Sequence, residues 1–137
     1  MMVKPYLMFS GNCAEAFDLY YRAFDGEVIR MERYGDMPPN PEFPVSEDKK
    51  NLVLHVELRL TNDGFILGCD SSFIEAGNAI NTVCISVELD SEDKARKAWN
   101  LLKEKGSVRM DLGPQFFARL HGSLIDKYGI TWLFTVT

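Results

Sequence analysis

The chain is poor in the residues that usually announce a mechanism. Its 137 residues hold only two histidines, His55 and His121, and three cysteines, Cys13, Cys69 and Cys84. No two cysteines stand at a CxxC spacing, and an odd count excludes a framework in which every thiol is bridged within the chain. Reduced thiols in a cytoplasmic protein are therefore expected. Basic runs are absent and the net charge is −5, which argues against a nucleic-acid-binding surface. No apolar stretch approaches the roughly 20 residues of a membrane helix. The opening "MMVKPYLMFSG" is too short and too quickly interrupted for a signal peptide, so no membrane partner is expected. No GxGxxG loop follows a strand. "FSGNCAEAF" has a single glycine and opens a helix, so it reads as a turn and cap.

What is present suits one globular domain. Hydrophobic residues make up 46% of the chain and charged residues 26%, enough to pack a core. Val3–Phe9 reads as a strand. Asn12 stands at a helix N-cap with Glu15 at the capping-box distance. Cys13, Phe17, Tyr20 and Phe24 then form one apolar stripe, and Gly26 stops the helix. Glu27–Tyr34 is a second strand. "GDMPPNPEFPVSEDKK" follows, whose four prolines forbid regular structure; a loop this long suits a lid. "NLVLHVELRL" alternates strictly, with Leu52, Leu54, Val56, Leu58 and Leu60 on one face and Val53, His55, Glu57 and Arg59 on the other. "TNDG" turns it into "FILGCD".

After a polar connector, 71–79, the order repeats. Ile80–Leu89 is a strand, and Asp90 or Ser91 caps a helix with the stripe Ala95, Ala98, Trp99, Leu102. Gly106 ends that helix as Gly26 ends the first. "SVRMDLG", "QFFARLHGSLI" and "ITWLFTV" are strands, the last two joined by "DKYG". The hairpins "LTNDGFILG" and "IDKYGITWL" can be laid side by side. The expected fold is α+β: two paired βαβββ modules, 3–70 and 80–137, forming a curved mixed sheet around a cleft with the helices outside. The whole is one domain, 1–137, since neither module buries its own sheet face well alone.

Candidate chemistry concentrates on the third strand of each module. His55 and Glu57 project from one face, where the imidazole can move a proton while the carboxylate orients it; the competing reading is a polar lining without chemistry. Arg59 either neutralises Glu57 or holds an anion. In module two, Phe117, Arg119, His121 and Ser123 share the equivalent face. Cys84 faces the cleft as a nucleophile or is a small buried cysteine. Asp70 is a rim ligand-binder or a turn acceptor, and Trp132 stacks on a ligand or fills the last strand's packing. Tyr20, Tyr21 and Trp99 are read as core.

The segments "PYLMFSGNCAEAFDLYYRAFDGE", "LVLHVELRL" and "DKYGITW" resemble the vicinal oxygen chelate superfamily of glyoxalases, bleomycin-resistance proteins and extradiol dioxygenases, and within it the PhnB-like branch. The resemblance implies paired βαβββ modules, a cleft in each sheet and a homodimer. It leaves the reaction open, because function lives in sites grafted on a fold. Metal-dependent members place a ligand on the first and last strand of each module. Those positions here fall at Pro5 or Tyr6, Gly68, Thr82 and Leu133, none a normal ligand. The expected function is binding of a small-molecule ligand without the usual four-ligand metal site and with no cofactor. The alternative is a lyase, isomerase or dioxygenase-type enzyme using acid–base chemistry, or a divalent metal at an atypical site, around His55 and Glu57.

Overall fold

The computed structural model describes residues 1–71 and 82–137. Residues 72–79 of the connector, and Ile80 and Asn81 at the start of the fifth expected strand, lie outside the described residues. The first module runs β1 (Tyr6–Phe9), α1 (Cys13–Phe24), β2 (Glu27–Arg33), β3 (Val53–Thr61) and β4 (Gly64–Asp70). The second runs β5 (Ile85–Leu89), α2 (Glu92–Lys103), β6 (Ser107–Gln115), β7 (Ala118–Ile125) and β8 (Thr131–Val136). Each forms its own four-stranded sheet, ordered β1-β4-β3-β2 and β5-β8-β7-β6, with first and last strands parallel and the other pairs antiparallel. The expected α+β fold of two βαβββ modules is therefore present, with the same strand order twice. The contacts divide into two compact units, one built on each sheet. No described helix is long and apolar enough to cross a membrane.

In the first unit, strand parity decides the core. Val56, Leu58 and Leu60 are buried, as are Ile66 on β4 and Phe9 on β1. The helix seats Cys13, Phe17 and Tyr20 on that face. The approach is close: a Cβ added to Gly68 would lie 2.5 Å from the ring of Phe17. Tyr21, expected in the core, is instead 44% exposed, because it falls one residue off the 13-17-20 stripe. Val53 is also displaced from the sequence reading. It is buried although its parity is that of His55, because the β2–β3 register shifts between Glu32 and Arg33. A bulge at this point reverses which way the preceding residue faces.

The first helix is capped from a distance. Asn12 makes no side-chain cap, so the expected capping box with Glu15 is not formed. Asp70, at the end of β4, supplies the carboxylate. Its Oδ1 accepts from the N–H groups of Gly11 (2.9 Å) and Cys13 (3.0 Å), and its Oδ2 from the N–H of Val53 (2.9 Å). The backbone carbonyl of Asp70 accepts from the Tyr34 hydroxyl at 2.8 Å. Three charge-assisted bonds to backbone donors make this buried anion a structural hub.

The second unit follows its sequence more closely. Ser91 caps α2, its Oγ accepting from Lys94 N–H at 3.3 Å, and Ala95, Ala98, Trp99 and Leu102 are the buried stripe. Trp99 meets Phe134 edge-on at 5.5 Å. The turn after β7 is organised by Asp126, whose Oδ1 accepts from Tyr128 and Ile130 N–H (2.8 and 3.1 Å) and whose Oδ2 accepts from Trp132 Nε1 at 2.9 Å. Two boundaries differ from the sequence reading. Residues 82–84 precede β5, and β6 continues through Pro114 to Gln115, leaving Phe116 and Phe117 as the β6–β7 turn. Proline is tolerated because β6 is an edge strand.

Gly26 and Gly106 do share a role, though not the one their positions suggest. The left-handed residue after each helix is Asp25 (φ 50°) and Lys105 (φ 57°), one position earlier. The glycines are needed because a Cβ would lie 2.5 Å from the Arg59 carbonyl oxygen in one module and 2.4 Å from that of Ile125 in the other. Both oxygens belong to third strands, so the repeat extends to backbone approach. Replacing Asp70 with alanine should strand three N–H donors. At about 1–3 kcal/mol for a buried unsatisfied group, the loss should be roughly 3 kcal/mol or more. It is read as a lower urea midpoint at unchanged slope, with Asp70→Asn intermediate because it keeps one acceptor oxygen.

Candidate functional site

Residues directly opposed on antiparallel strands share a face. Glu27 opposes Arg59, Arg30 opposes Glu57, and Glu32 opposes His55. Since Val56 and its partner Gly68 face α1, these six charged or titratable side chains occupy the helix-free face of the first sheet. Each third-strand side chain there has its own neighbour. Tyr6 Oη lies 3.3 Å from His55 Nδ1, with ring centroids 5.9 Å apart. Glu57 is ion-paired with Lys4. Arg59 bonds Glu27 at 2.8 Å and stands 5.4 Å over the Phe65 ring, which Lys4 also approaches at 4.8 Å. Thus His55 and Glu57 share a face, but the partner of His55 is a phenol, and Glu57 is engaged by a lysine that the sequence reading did not single out.

Tyr6 is further constrained by Cys69. The register places Met8 opposite Cys69 and Leu7 opposite Gly68, so Cys69 projects from the same helix-free face. Burial, and then the neighbouring Cys69, push the Tyr6 phenol up to about 12. Tyr34 is raised as well, by burial and then by Cys69 and Asp70. The Cys13 thiol is pushed well up by burial and by Asp70, which leaves it inert. In the sequence Tyr6 stood only at a metal-ligand position and Cys69 only as one of three reduced thiols. What could have found them is their one-residue offset from the helix-facing Leu7 and Gly68.

The four positions where metal-dependent relatives hold ligands can now be tested on donor chemistry. Gly68 faces the helix, so the residue beside Tyr6 on the open face is Leu67. Thr82 precedes β5, and the strand residue opposite Leu133 is Ser86. Neither Tyr6 and Leu67 in the first unit nor Ser86 and Leu133 in the second supply the imidazole or carboxylate ligands that a divalent ion wants. Among the described residues, no three His, Cys, Asp or Glu side chains are grouped to hold one.

On the second unit, His121 Nδ1 lies 3.1 Å from Thr135 Oγ1, and the exposed Phe117 meets its ring edge-on at 4.9 Å. Arg119 Nε donates to the Thr137 carbonyl at 2.9 Å. Phe117, Arg119 and His121 are thus neighbours, although Phe117 stands in the turn rather than on the strand. Trp132 does not join them. It is wholly buried and holds Asp126, because its parity on β8 is that of Phe134 and Val136. The structure therefore makes it core and removes it as a stacking platform. Cys84, expected in the strand and small enough to be buried, is exposed ahead of β5.

One concavity of the first unit lies off the sheet face. A cavity of about 1160 Å³ opens between the proline-rich segment and the strand ends, with Tyr34, Met37, Phe43 and Leu52 among its walls and Asp70 and Ser71 at its floor. The segment contains only two single 3₁₀ turns, Tyr34–Asp36 and Glu47–Lys49. Asp70 is buried there, with both carboxylate oxygens already accepting backbone N–H groups. Met37 and Phe43 escaped the sequence reading because irregular loops carry no periodic signal.

Comparison with known proteins gives one consistent picture. The family described as 3-demethylubiquinone-9 3-methyltransferase matches residues 1–135. Protein PA1353 from Pseudomonas aeruginosa is 31% identical, covering 99% of this chain and 97% of its own, with a TM-score of 0.83. A PhnB protein from Bacillus cereus is 26% identical over the full length of both chains, with a TM-score of 0.79. A glyoxylase/bleomycin resistance protein/dioxygenase domain from Frankia shares the fold at a TM-score of 0.66, with 10% identity over 99% of this chain and 96% of that one.

The Tyr6 environment makes a pH prediction. Its folded value, about 12, lies above the ordinary 10.0. The folded state thus holds the proton more tightly, and this contribution to stability is complete below pH 10 and lost as pH rises through about 12. Ultraviolet titration of the folded protein should show a late phenolate step that disappears in Tyr6→Phe. An unchanged titration curve in that variant would contradict the assignment.

Proposed function

The chain belongs to the family described as 3-demethylubiquinone-9 3-methyltransferase, the PhnB-like branch of the vicinal oxygen chelate superfamily, and from that premise we propose that it binds a small molecule beneath its proline-rich segment without the four-ligand metal site. The observation that carries this reading is the cavity of about 1160 Å³, somewhat larger than the usual small-molecule pocket. Its walls combine an apolar surface (Met37, Phe43, Leu52) with a few polar groups such as Glu42, Lys49 and Ser71. Phe43 is 69% exposed, so it has apolar area left to bury against a ligand.

Methyl transfer from a nucleotide-type cofactor finds no support in the β1–α1 turn. Gly11 takes φ 124° there, as a phosphate-binding turn can, but its N–H and that of Cys13 are already bonded to Asp70. Donors occupied by an internal carboxylate do not cradle a phosphate. What supports a metal-free reading is the donor chemistry at the four family positions. The second reading, acid–base catalysis on the helix-free face, is favoured by the contact between Tyr6 and His55.

Two measurements test the proposal. Elemental analysis of the purified protein should find divalent metal well below one equivalent. Near-stoichiometric metal that is lost in a His55→Ala/Glu57→Ala double variant would overturn the metal-free reading. A thermal-shift screen should yield ligands that stabilise the protein, by about 2.7 kcal/mol at a hundredfold excess over Kd. Phe43→Ala should weaken those ligands, whereas His55→Ala should not. The reverse pattern would move the function to the sheet face.

A further inference from the structure

A smaller cavity, of about 300 Å³, opens in the second unit between α2 and the edge strand β6. That volume stands at the lower end for a small-molecule site. Arg96, Trp99, Asn100 and Lys103 line it from the helix, and Asp111 and Leu112 from the strand. Arg96, Asn100 and Lys103 follow at i, i+4 and i+7, so they form one flank of α2 beside its buried stripe. The stretch 94–109 holds six of the chain's 15 cations, spaced rather than in a run, against Glu104 as its one carboxylate. The local charge is thus opposite in sign to that of the whole chain, which is −5.

Two observations separate this cavity from an ordinary solvated helix flank. Asp111 shares it with Arg96 and Lys103, yet among the described residues no ion pair or side-chain hydrogen bond engages any of the three. Both signs of charge are left available to an outside partner. Trp99 is the second observation. It is only 5% exposed, and its indole N–H meets no acceptor among the described residues. Among those residues only Arg59 Nε and Thr131 Oγ1 are sealed from solvent without a partner. The Trp99 donor therefore keeps an outlet, and Trp99 lines this cavity. Trp132 makes the contrast, since its N–H is engaged by Asp126 at 2.9 Å. A buried donor without an acceptor is costly unless something outside supplies one.

We propose that this cavity binds an acidic α-amino acid, a small molecule with two carboxylates and one ammonium. Arg96 takes one carboxylate through its planar fork and Lys103 takes the other, while Asp111 accepts from the ammonium. The Trp99 N–H and the Asn100 amide add neutral donors. Two turns of helix, about 10 Å of rise, separate Arg96 from Lys103, so a ligand with a carboxylate at each end meets both. Three ligand charges then oppose three site charges of the other sign. Inorganic phosphate suits the cations but sets its own charge against Asp111. A peptide strand added to the β6 edge is disfavoured, because β6 breaks register with β7 three times and bulged edges resist pairing. The proposal goes beyond ligand binding beneath the proline-rich segment and does not depend on it.

The test follows the two assigned indole N–H signals by nuclear magnetic resonance as L-glutamate is added to the intact protein at constant ionic strength. The Trp99 signal should shift and saturate at roughly millimolar glutamate. The Trp132 signal should stay in place and so report an intact fold. Glutarate lacks the ammonium and should bind about tenfold more weakly, the scale of one charged hydrogen bond. Arg96 and Lys103 are exposed, and Arg96→Gln and Lys103→Gln should each weaken glutamate by about tenfold. Asp111→Ala should bring glutamate down to the level of glutarate. The proposal is overturned by the absence of a saturable shift, by glutarate or inorganic phosphate binding as tightly as glutamate, or by glutamate binding that both glutamine variants leave unchanged. If one of those variants displaces the Trp132 signal, the other decides. Phe43→Ala should leave glutamate binding unchanged, so failure here leaves the reading of the larger cavity standing, and failure of the ligand screen leaves this one standing.

Discussion

Asp70 ties together all four strands of the first sheet through its carboxylate and its backbone carbonyl. It sits at the end of β4, takes the N–H groups of the β1–α1 turn on one oxygen and the first N–H of β3 on the other, and offers its carbonyl to Tyr34 after β2. A buried anion is tolerable only when its lone pairs are met, and here backbone donors meet them. Once this junction is set, α1 starts where it must, the bulge that buries Val53 has a fixed partner, and the proline-rich segment departs from a defined point. The cavity floor is the outer side of the same junction. Asp126 does a comparable task in the second unit, trading a helix start for the indole of Trp132.

Each sheet separates packing from chemistry. The helix-facing side holds aliphatic and aromatic core, down to glycines where a single Cβ would collide. The helix-free side of the first sheet carries charges arranged in pairs, so that Lys4 meets Glu57 and Arg59 meets Glu27. The exposed pair Arg59–Glu27 contributes little stability, whereas Lys4–Glu57 is partly buried. With Glu57 and Arg59 engaged by their own partners, His55 is left to meet Tyr6. Burial raises that phenol above its ordinary value.

Where the fold is periodic, the chain is readable. The stripe of α2 was buried residue for residue, and the alternation of "LVLHVELRL" placed His55, Glu57 and Arg59 on one face. Where the signal is a single residue acting at a distance, it is not. Asn12 and Glu15 have a capping-box spacing, yet the cap came from Asp70, far along the chain. Phe116 and Phe117 have strong strand propensity, yet they form a turn, because propensity is a weak prior against the register of β6 on β7. Trp132 looked available for a ligand until the parity of β8 turned it inward. Half of the Tyr6–His55 pair was legible, since His55 stood out by rarity and Tyr6 did not.

Residue order alone therefore determined the two βαβββ modules, the helical stripes, the family likeness and the set of polar residues on the third strands. These are properties of spacing, and a period of two or of 3.6 is written directly into the chain. Tertiary structure decided which of those polar residues meet. It gave His55 a phenol, Glu57 a lysine and Asp70 three backbone donors, and it opened a cavity under a segment with no pattern of its own. Pairing across strands depends on register, and register depends on bulges, turns and close glycine contacts that no local window contains.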